Sequence, residues 1–234
     1  MVDAFDYIVK KYNINLDGRY LIDIPEMIGA ADLAKLFAEL DFNRGVEIGT
    51  DQGEYAEVLC KTIPNLRLDC IDPWKAEAYE EGYQPESNEK QEYFDKRYQE
   101  TKERLDPYIS SEQLLLWRQT SMEAVNRYMD EFLDFVYIDG NHDFLNVTQD
   151  IHYWFKKVRP GGILSGHDYV RYPSRKFNHV QKVVNAYTTA YHLLPVFLVT
   201  PTNKGLKRDR FRSWFLVKPL EDPVTHKLYE TNNN

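Results

Sequence analysis

Cysteine is scarce in this chain of 234 residues: Cys60 and Cys70 are the only two. Two thiols cannot build a disulfide framework, so the fold has to rest on its apolar core. Long apolar runs are missing as well. None approaches the roughly 18 residues that a membrane-spanning helix needs. The opening stretch, MVDAFDYIVKKY, lacks a basic start followed by an apolar segment, so a secretory signal is not expected and a cytoplasmic location is. There is no surplus of positive charge: 29 Lys and Arg stand against 37 Asp and Glu, a net charge of −8. Affinity for phosphate backbones comes from clustered cations, so an acidic chain is a poor generic nucleic-acid binder and no nucleic-acid partner is expected. No internal repeat is visible, and low complexity is confined to the polar end, 231–234. What is present is core material. The 17 Tyr, 12 Phe and 4 Trp make 14% aromatics, too many for a disordered chain. The length suits one domain, expected over 1–234.

Short apolar runs alternate with amphipathic stretches. The runs 45–48, 66–71, 113–117, 132–138 and 162–165 read as strands. Stretches 32–40, 55–62, 88–105, 122–129, 144–158 and 179–191 read as helices, the third capped by Ser87. Such alternation implies a parallel sheet with helices on both faces, an α/β fold. Two last strands, 195–200 and 213–218, are joined by a polar loop too short for a crossover helix and read as an antiparallel hairpin. Segment 1–40 reads as a helical N-terminal segment. Segment 73–106 reads as an insertion that could serve as a lid, with Trp74, Tyr79 and Tyr83 either closing over a ligand or packing on the sheet. A basic run, Lys204, Lys207, Arg208, Arg210 and Arg212, reads as a solvated hairpin loop.

Four expected strands finish on or near an acid: Glu47, Asp72, Asp139 and Asp168. Ligands of open parallel sheets bind outside the carboxyl ends of the strands, so four acids along that edge read as a site. Capping or turn formation explains any one such acid and explains the set less well.

The turn after the first of these strands is sharper. Its pattern is E-x-G-x-x-x-G, from Glu47 through Gly49 to Gly53. Glycines there allow a tight turn and close approach to a ligand. About 20 residues on stands Asp72, placed to accept hydrogen bonds from ribose hydroxyls. This is not the G-x-G-x-x-G of dinucleotide sites: Asp51 stands where the middle glycine would be, and an acid there would repel a diphosphate. Adenosine without phosphates suits the pattern better.

Together, VEIGTDQGEYA, CIDPW and FVYIDGNHDFLNVTQDIHYWFKKVRPGGILSGHDY resemble the class I S-adenosylmethionine-dependent methyltransferases, and more closely methyltransferase family 24, with its D-G-x-H and P-G-G…H-D-Y. The resemblance covers about 41–168, and RSWFLVK near the end is also similar. It implies a Rossmann-like, seven-stranded, mostly parallel sheet whose final strand is an antiparallel insertion. It implies S-adenosyl-L-methionine as cofactor, with Glu47, Gly49 and Gly53 at the methionine end. Asp72 would take the ribose, and Thr120 and Ser121 would lie near the adenine. The chain departs from the family in having Gln119 where glycine is frequent and Asn178-His179 before the last long helix.

Asp139 and Asp168 follow strands that neighbour each other in this fold, about 4.8 Å apart. Their carboxylates could share one hard cation, Mg²⁺ or Mn²⁺. Resembling relatives include both metal-dependent and metal-free enzymes. His142 and His167 flank the pair and are the candidate bases for a hydroxyl nucleophile. His142, in a turn, could also serve as a third metal ligand. Strand alternation would point His167 away from Asp168 unless the chain turns there. The expected function is methyl transfer to a small molecule, at oxygen, without nucleic acid or membrane as partner. A hydroxylase-like metalloenzyme on the same scaffold and a non-catalytic cofactor-binding module are the alternatives. The acceptor and the oligomeric state are left open.

Overall fold

In the computed structural model, residues 3–76, 90–170, 178–202 and 207–220 are described, the side chains of 207 and 208 excepted. Along the chain, α1 (Ala4–Lys11) leads to β1 (Leu21–Ile28), α2 (Ala30–Glu39), β2 (Arg44–Ile48) and α3 (Glu54–Thr62). Next come β3 (Arg67–Asp72), α4 (Gln91–Ser110), β4 (Leu114–Arg118), the single turn α5 (Ser121–Ala124) and β5 (Leu133–Ile138). Then follow α6 (Phe144–Lys157), β6 (Val158–Gly166), α7 (Val180–Ala190), β7 (Val196–Thr200) and β8 (Trp214–Val217). Expected and observed elements agree in kind from β2 onward. The exception is 122–129, where only the short α5 and a 3₁₀ turn at Val125–Arg127 form. The helix expected from 88 runs from Gln91, and Ser87 lies outside the described residues.

All eight strands form one sheet in the order β1-β7-β8-β6-β5-β2-β3-β4. The pairs on either side of β8 are antiparallel and the other pairs parallel. The expected parallel sheet with an antiparallel terminal insertion is therefore present, with helices on both faces. The eighth strand is the surprise. It lies inside 1–40, read from sequence as helical. LIDIPEMI carries Pro25, which has no N–H for a central ladder. At a sheet edge that loss is tolerated, and β1 is an edge strand whose register slips between Ile24 and Ile28.

Strand alternation divides the core into two layers. On β5, Phe135 and Tyr137 face one side, where Leu33, Leu36 and Phe37 of α2, Tyr55 and Leu59 of α3 and Leu105 of α4 pack. Val136 and Ile138 face the other, with Val46 and Ile48 of β2, Val147, Ile151 and Trp154 of α6 and Val183 and Val184 of α7. Each such fully buried large side chain contributes about 1.5–3 kcal/mol. Asp143 starts α6 by accepting from the amides of Leu145 (2.8 Å) and Asn146 (3.1 Å). Because β2 sits between β3 and β5, chain direction diverges at its carboxyl end, where ligand crevices open in such sheets.

Candidate active site

At that divergence lies a cavity of about 350 Å³. This is within the size range of small-molecule sites. Its lining includes Gly49 after β2, Asp72 at the end of β3, Thr120 and Ser121 after β4, and Asp139 and His142 after β5. Six of the residues singled out from sequence thus share one cavity. Glu47, Gly53, His167 and Asp168 are not in its lining. Glu47 is fully buried between Val46 and Ile48. Since those two face the α6 layer, alternation turns Glu47 to the opposite layer, beside Cys60 and Cys70, whose thiols its charge helps to keep protonated. Gly53, the cap of α3, has φ +72°, a left-handed backbone that favours glycine, and a Cβ there would also press on Leu105 Cδ1 of α4 at 2.8 Å.

The turn after β2 is held by backbone. Gly49 has φ +82° and donates to Ile71 O at 2.8 Å, while Asp139 N donates to Ile48 O at 2.8 Å. A Cβ on Gly49 would lie 2.2 Å from Asp139 O, so only glycine lets β2 and β5 close here.

Asp72 accepts from Trp74 N at 2.7 Å and Asp51 N at 3.0 Å. A carboxylate has about four acceptor positions, so lone pairs remain for a ligand's hydroxyls. Burial pushes its carboxyl up, to about 6, against the lowering effect of the two amides. Asp51 corrects an expectation. It lines the cavity, but not as bare negative charge: Arg97 of α4 takes both its oxygens, Nη2–Oδ2 at 2.7 Å. Repulsion of a diphosphate by Asp51 is therefore weaker than the sequence suggests. Trp74 is buried, donates from Nε1 to Asp51 O at 3.0 Å and tilts against Tyr98 at 4.9 Å between centroids. It packs against the turn after β2 and against α4; Tyr79 and Tyr83 lie outside the described residues. Of the basic run, Arg212 pairs with Asp23 at 2.7 Å.

At the other end of the cavity, Asp139 and His142 of the lining meet Asp168 and His167, which lie outside it. His142 Nε2 is 3.0 Å from Asp168 Oδ2 and 3.7 Å from Asp139 Oδ1. His167 Nδ1 is 3.2 Å and 3.6 Å from the same two oxygens. His167 and Asp168 reach one point because the chain does turn there: Asp168 has φ +57°. Burial pulls the His142 imidazole down, but hydrogen bonds and charge from Asp139 and Asp168 outweigh it and raise it to about 10. Burial likewise opposes ionisation of Asp168, yet its contacts with His142 and His167 hold it well below the usual carboxylate range. Asp139, His142 and Asp168 each offer a ligand atom, all within 4.8 Å of one another. Two carboxylates and an imidazole suit a divalent cation.

A residue that sequence reading missed is Asp150 of α6. It lines the cavity and hydrogen-bonds Ser121 Oγ at 2.5 Å. Its signal was available: it falls in the buried stripe Val147, Asp150, Ile151, Trp154, where an acid is out of place.

A family model described as a methyltransferase domain matches residues 46–169. The chain belongs to this methyltransferase family. An uncharacterised protein of Sinorhizobium fredii, y4gI, is 26% identical over 129 residues, a match spanning 53% of this chain and 13% of that protein. The chain therefore corresponds to a small part of the length of that curated relative. Among solved structures, the O-methyltransferase from Bacillus cereus in complex with SAH is 14% identical, with TM-score 0.58, covering 92% of this chain and 87% of that one. The O-methyltransferase TomG from Streptomyces achromogenes, in complex with SAM, is 16% identical, with TM-score 0.56, covering 93% and 91%. At such identities the likeness shows the fold: a Rossmann-like methyltransferase sheet. No described helix is long and apolar enough to cross a membrane.

Proposed function

We propose that this methyltransferase moves the methyl group of S-adenosylmethionine to a hydroxyl of a small-molecule acceptor, assisted by a divalent cation. The observation that supports this most is one cavity with two different ends. Asp72 offers acceptor lone pairs at one, and Asp139 with His142 forms a charged cluster at the other. The cavity size and an acid for ribose hydroxyls suit an adenosyl group. When bound, S-adenosylmethionine supplies an electrophilic methyl on a sulfonium. Gly49 keeps the turn close to the ligand, Asp72 orients the ribose, and Thr120 and Ser121 edge the base. A cation held by Asp139, His142 and Asp168 supplies Lewis acidity that eases loss of an acceptor proton.

His142 moves protons only under a condition. With the acids' charge unopposed, its imidazole stays protonated through neutral pH. It can accept a proton once that charge is taken up by a cation. His167, 3% exposed, holds both carboxylates in place. Family membership favours methyl transfer over the hydroxylase-like alternative, and product formation tests the non-catalytic one. Calorimetry with S-adenosylhomocysteine, followed by mass-spectrometric detection of S-adenosylhomocysteine released from S-adenosylmethionine with a panel of phenols, sugars and hydroxy acids, checks the reading. Micromolar binding and metal-stimulated turnover are expected. No binding up to millimolar ligand would refute it.

A further inference from the structure

Asp209 stands in the basic run before β8, yet it is 4% exposed. Its Oδ1 accepts from Ala30 N at 2.8 Å, across 179 residues of chain. Ala30 is the first residue of α2, and Gly29 before it has no side chain with which to cap the helix. Glycine also leaves the room: a Cβ on Gly29 would lie 2.8 Å from Asp209 Cγ and Oδ2. A cap alone does not call for this arrangement. Asp3, Thr120 and Asp143 cap α1, α5 and α6 from the adjoining position, with their own side chains. Asp209 instead buries a carboxylate, which is costly, and ties a distant loop to a helix start.

What the tie fixes is the stretch that follows. Asp209 O accepts from Thr202 N at 2.7 Å, so the loop between β7 and β8 also closes on itself. Phe211 meets the His167 ring at 67°, with centroids 6.3 Å apart. Arg212 O accepts from Tyr169 N at 3.0 Å, and the Arg212 guanidinium pairs with Asp23 at 2.7 Å. From Asp209 onward, the solvated loop expected from the basic run is thus a fastened one. It grips the chain on both sides of Asp168, whose φ of +57° makes the turn that brings His167 and Asp168 to one point. A left-handed turn at a residue with a Cβ persists where surrounding contacts over-determine it. Here those contacts come from Phe211 and Arg212, which are anchored through Asp209. Ala30 and Asp209 both lie outside 46–169, so the tie is no part of the matched domain. Resting on the reading of the charged cluster as the centre of methyl transfer, we infer that Asp209 is a positioning residue: its bond to Ala30 sets the loop that holds His167 and Asp168 in place against Asp139 and His142.

Two variants remove the bond from opposite ends. Asp209→Ala deletes the acceptor. Ala30→Pro deletes the donor at the first helical position, where proline is tolerated. Asp209→Asn is the conservative variant, because its amide oxygen can keep the Ala30 bond. Two readouts are taken at one pH: the imidazole signals of ¹⁵N-histidine-labelled protein by NMR, and Mn²⁺ affinity by calorimetry. In Asp209→Ala and Ala30→Pro the His167 ring signals should shift and Mn²⁺ should bind about tenfold more weakly, as when a group that orients metal ligands is lost. Asp209→Asn should restore both. Lower urea stability with unchanged His167 signals and Mn²⁺ affinity would make Asp209 a remote cap of α2 and overturn the inference. Changes in Asp209→Asn as large as in Asp209→Ala would overturn it too, since the bond would then not be what matters. Should Asp209→Ala not fold, Ala30→Pro decides. Absence of Mn²⁺ binding to wild type at millimolar concentration would refute the cation reading, and the His167 signals would still settle the role of Asp209.

Discussion

Replacing Gly49 by alanine tests whether the β2 turn is as tightly determined as its geometry implies. Two separate costs arise. The first is backbone strain: Gly49 sits at φ +82°, which an L side chain adopts at about 1–2 kcal/mol. The second is collision. The added Cβ would lie 2.2 Å from Asp139 O, 2.5 Å from Asp139 C and 2.7 Å from Gly140 Cα. These are backbone atoms of the adjoining strand end, so no side-chain rotation relieves the contact. Comfortable separation needs about 3.5 Å, and forced repacking of this kind costs about 1–3 kcal/mol. Together Gly49→Ala should lose about 2–5 kcal/mol. A control separates the two parts: Gly18 has φ +67° with nothing within 4 Å of its would-be Cβ, so Gly18→Ala carries the strain alone. Urea titration followed by tryptophan fluorescence reads both, because Trp74, Trp154 and Trp214 are fully buried. If Gly49→Ala lost no more than Gly18→Ala, the closure of β2 on β5 would be looser than the structure has it, and the reasoning would fail.

Asp72→Asn should do two opposite things. The native carboxyl is raised from 3.8 to about 6, so the folded state binds its proton more tightly and ionised Asp72 lowers stability as pH rises through that window. Removing that charge gains up to about 3 kcal/mol at pH 8, but asparagine has one acceptor oxygen for the amides of Trp74 and Asp51 and sets its NH₂ against the other, a loss of about 1–3 kcal/mol, so the net change in urea stability at pH 8 should be small. The variant should also bind S-adenosylhomocysteine about 10- to 100-fold more weakly, a hydrogen bond to a charged group being lost; unchanged affinity would refute the assignment. Chelator should remove most activity, with Mg²⁺ or Mn²⁺ restoring it, and Asp168→Asn should resist that rescue; full turnover in excess chelator would remove the cation from the proposal. Burial and then the Glu47 charge push the Cys60 thiol up to about 12, and the same causes raise Cys70, so neither should react with a thiol reagent until urea unfolds the chain, when both should.

Much of the fold was legible because the chain writes it in periods. β5 is buried at all six positions and, Asp134 apart, is apolar, the mark of a strand covered on both faces. β1 was not legible. Its exposure alternates only partly, and Pro25 argues against a strand unless the edge position is known, which is a fact of topology rather than of local pattern. The place of β8 between β7 and β6 came from family resemblance; its four residues look like any hairpin arm.

The site divides along the same line. Acids at strand ends announce themselves, since turns after parallel strands have few reasons to hold four of them. That reasoning reached Asp72, Asp139 and Asp168, and through the last two the histidines that meet them. Glu47 lies one residue inside β2, where alternation and not proximity to the strand end decides the side it faces, and it is outside the cavity lining. That reasoning does not reach Asp150, which no turn marks. That acid is visible only when α6 is read as a stripe and the odd member of the stripe is asked what it touches. A buried, charge-bearing side chain in a helix lowers stability unless something answers it. Ser121 answers one oxygen of Asp150, and the other borders the cavity. Burial raises both Asp72 and Asp150, so each costs stability when ionised, and a ligand whose donors reached either one would stabilise the fold.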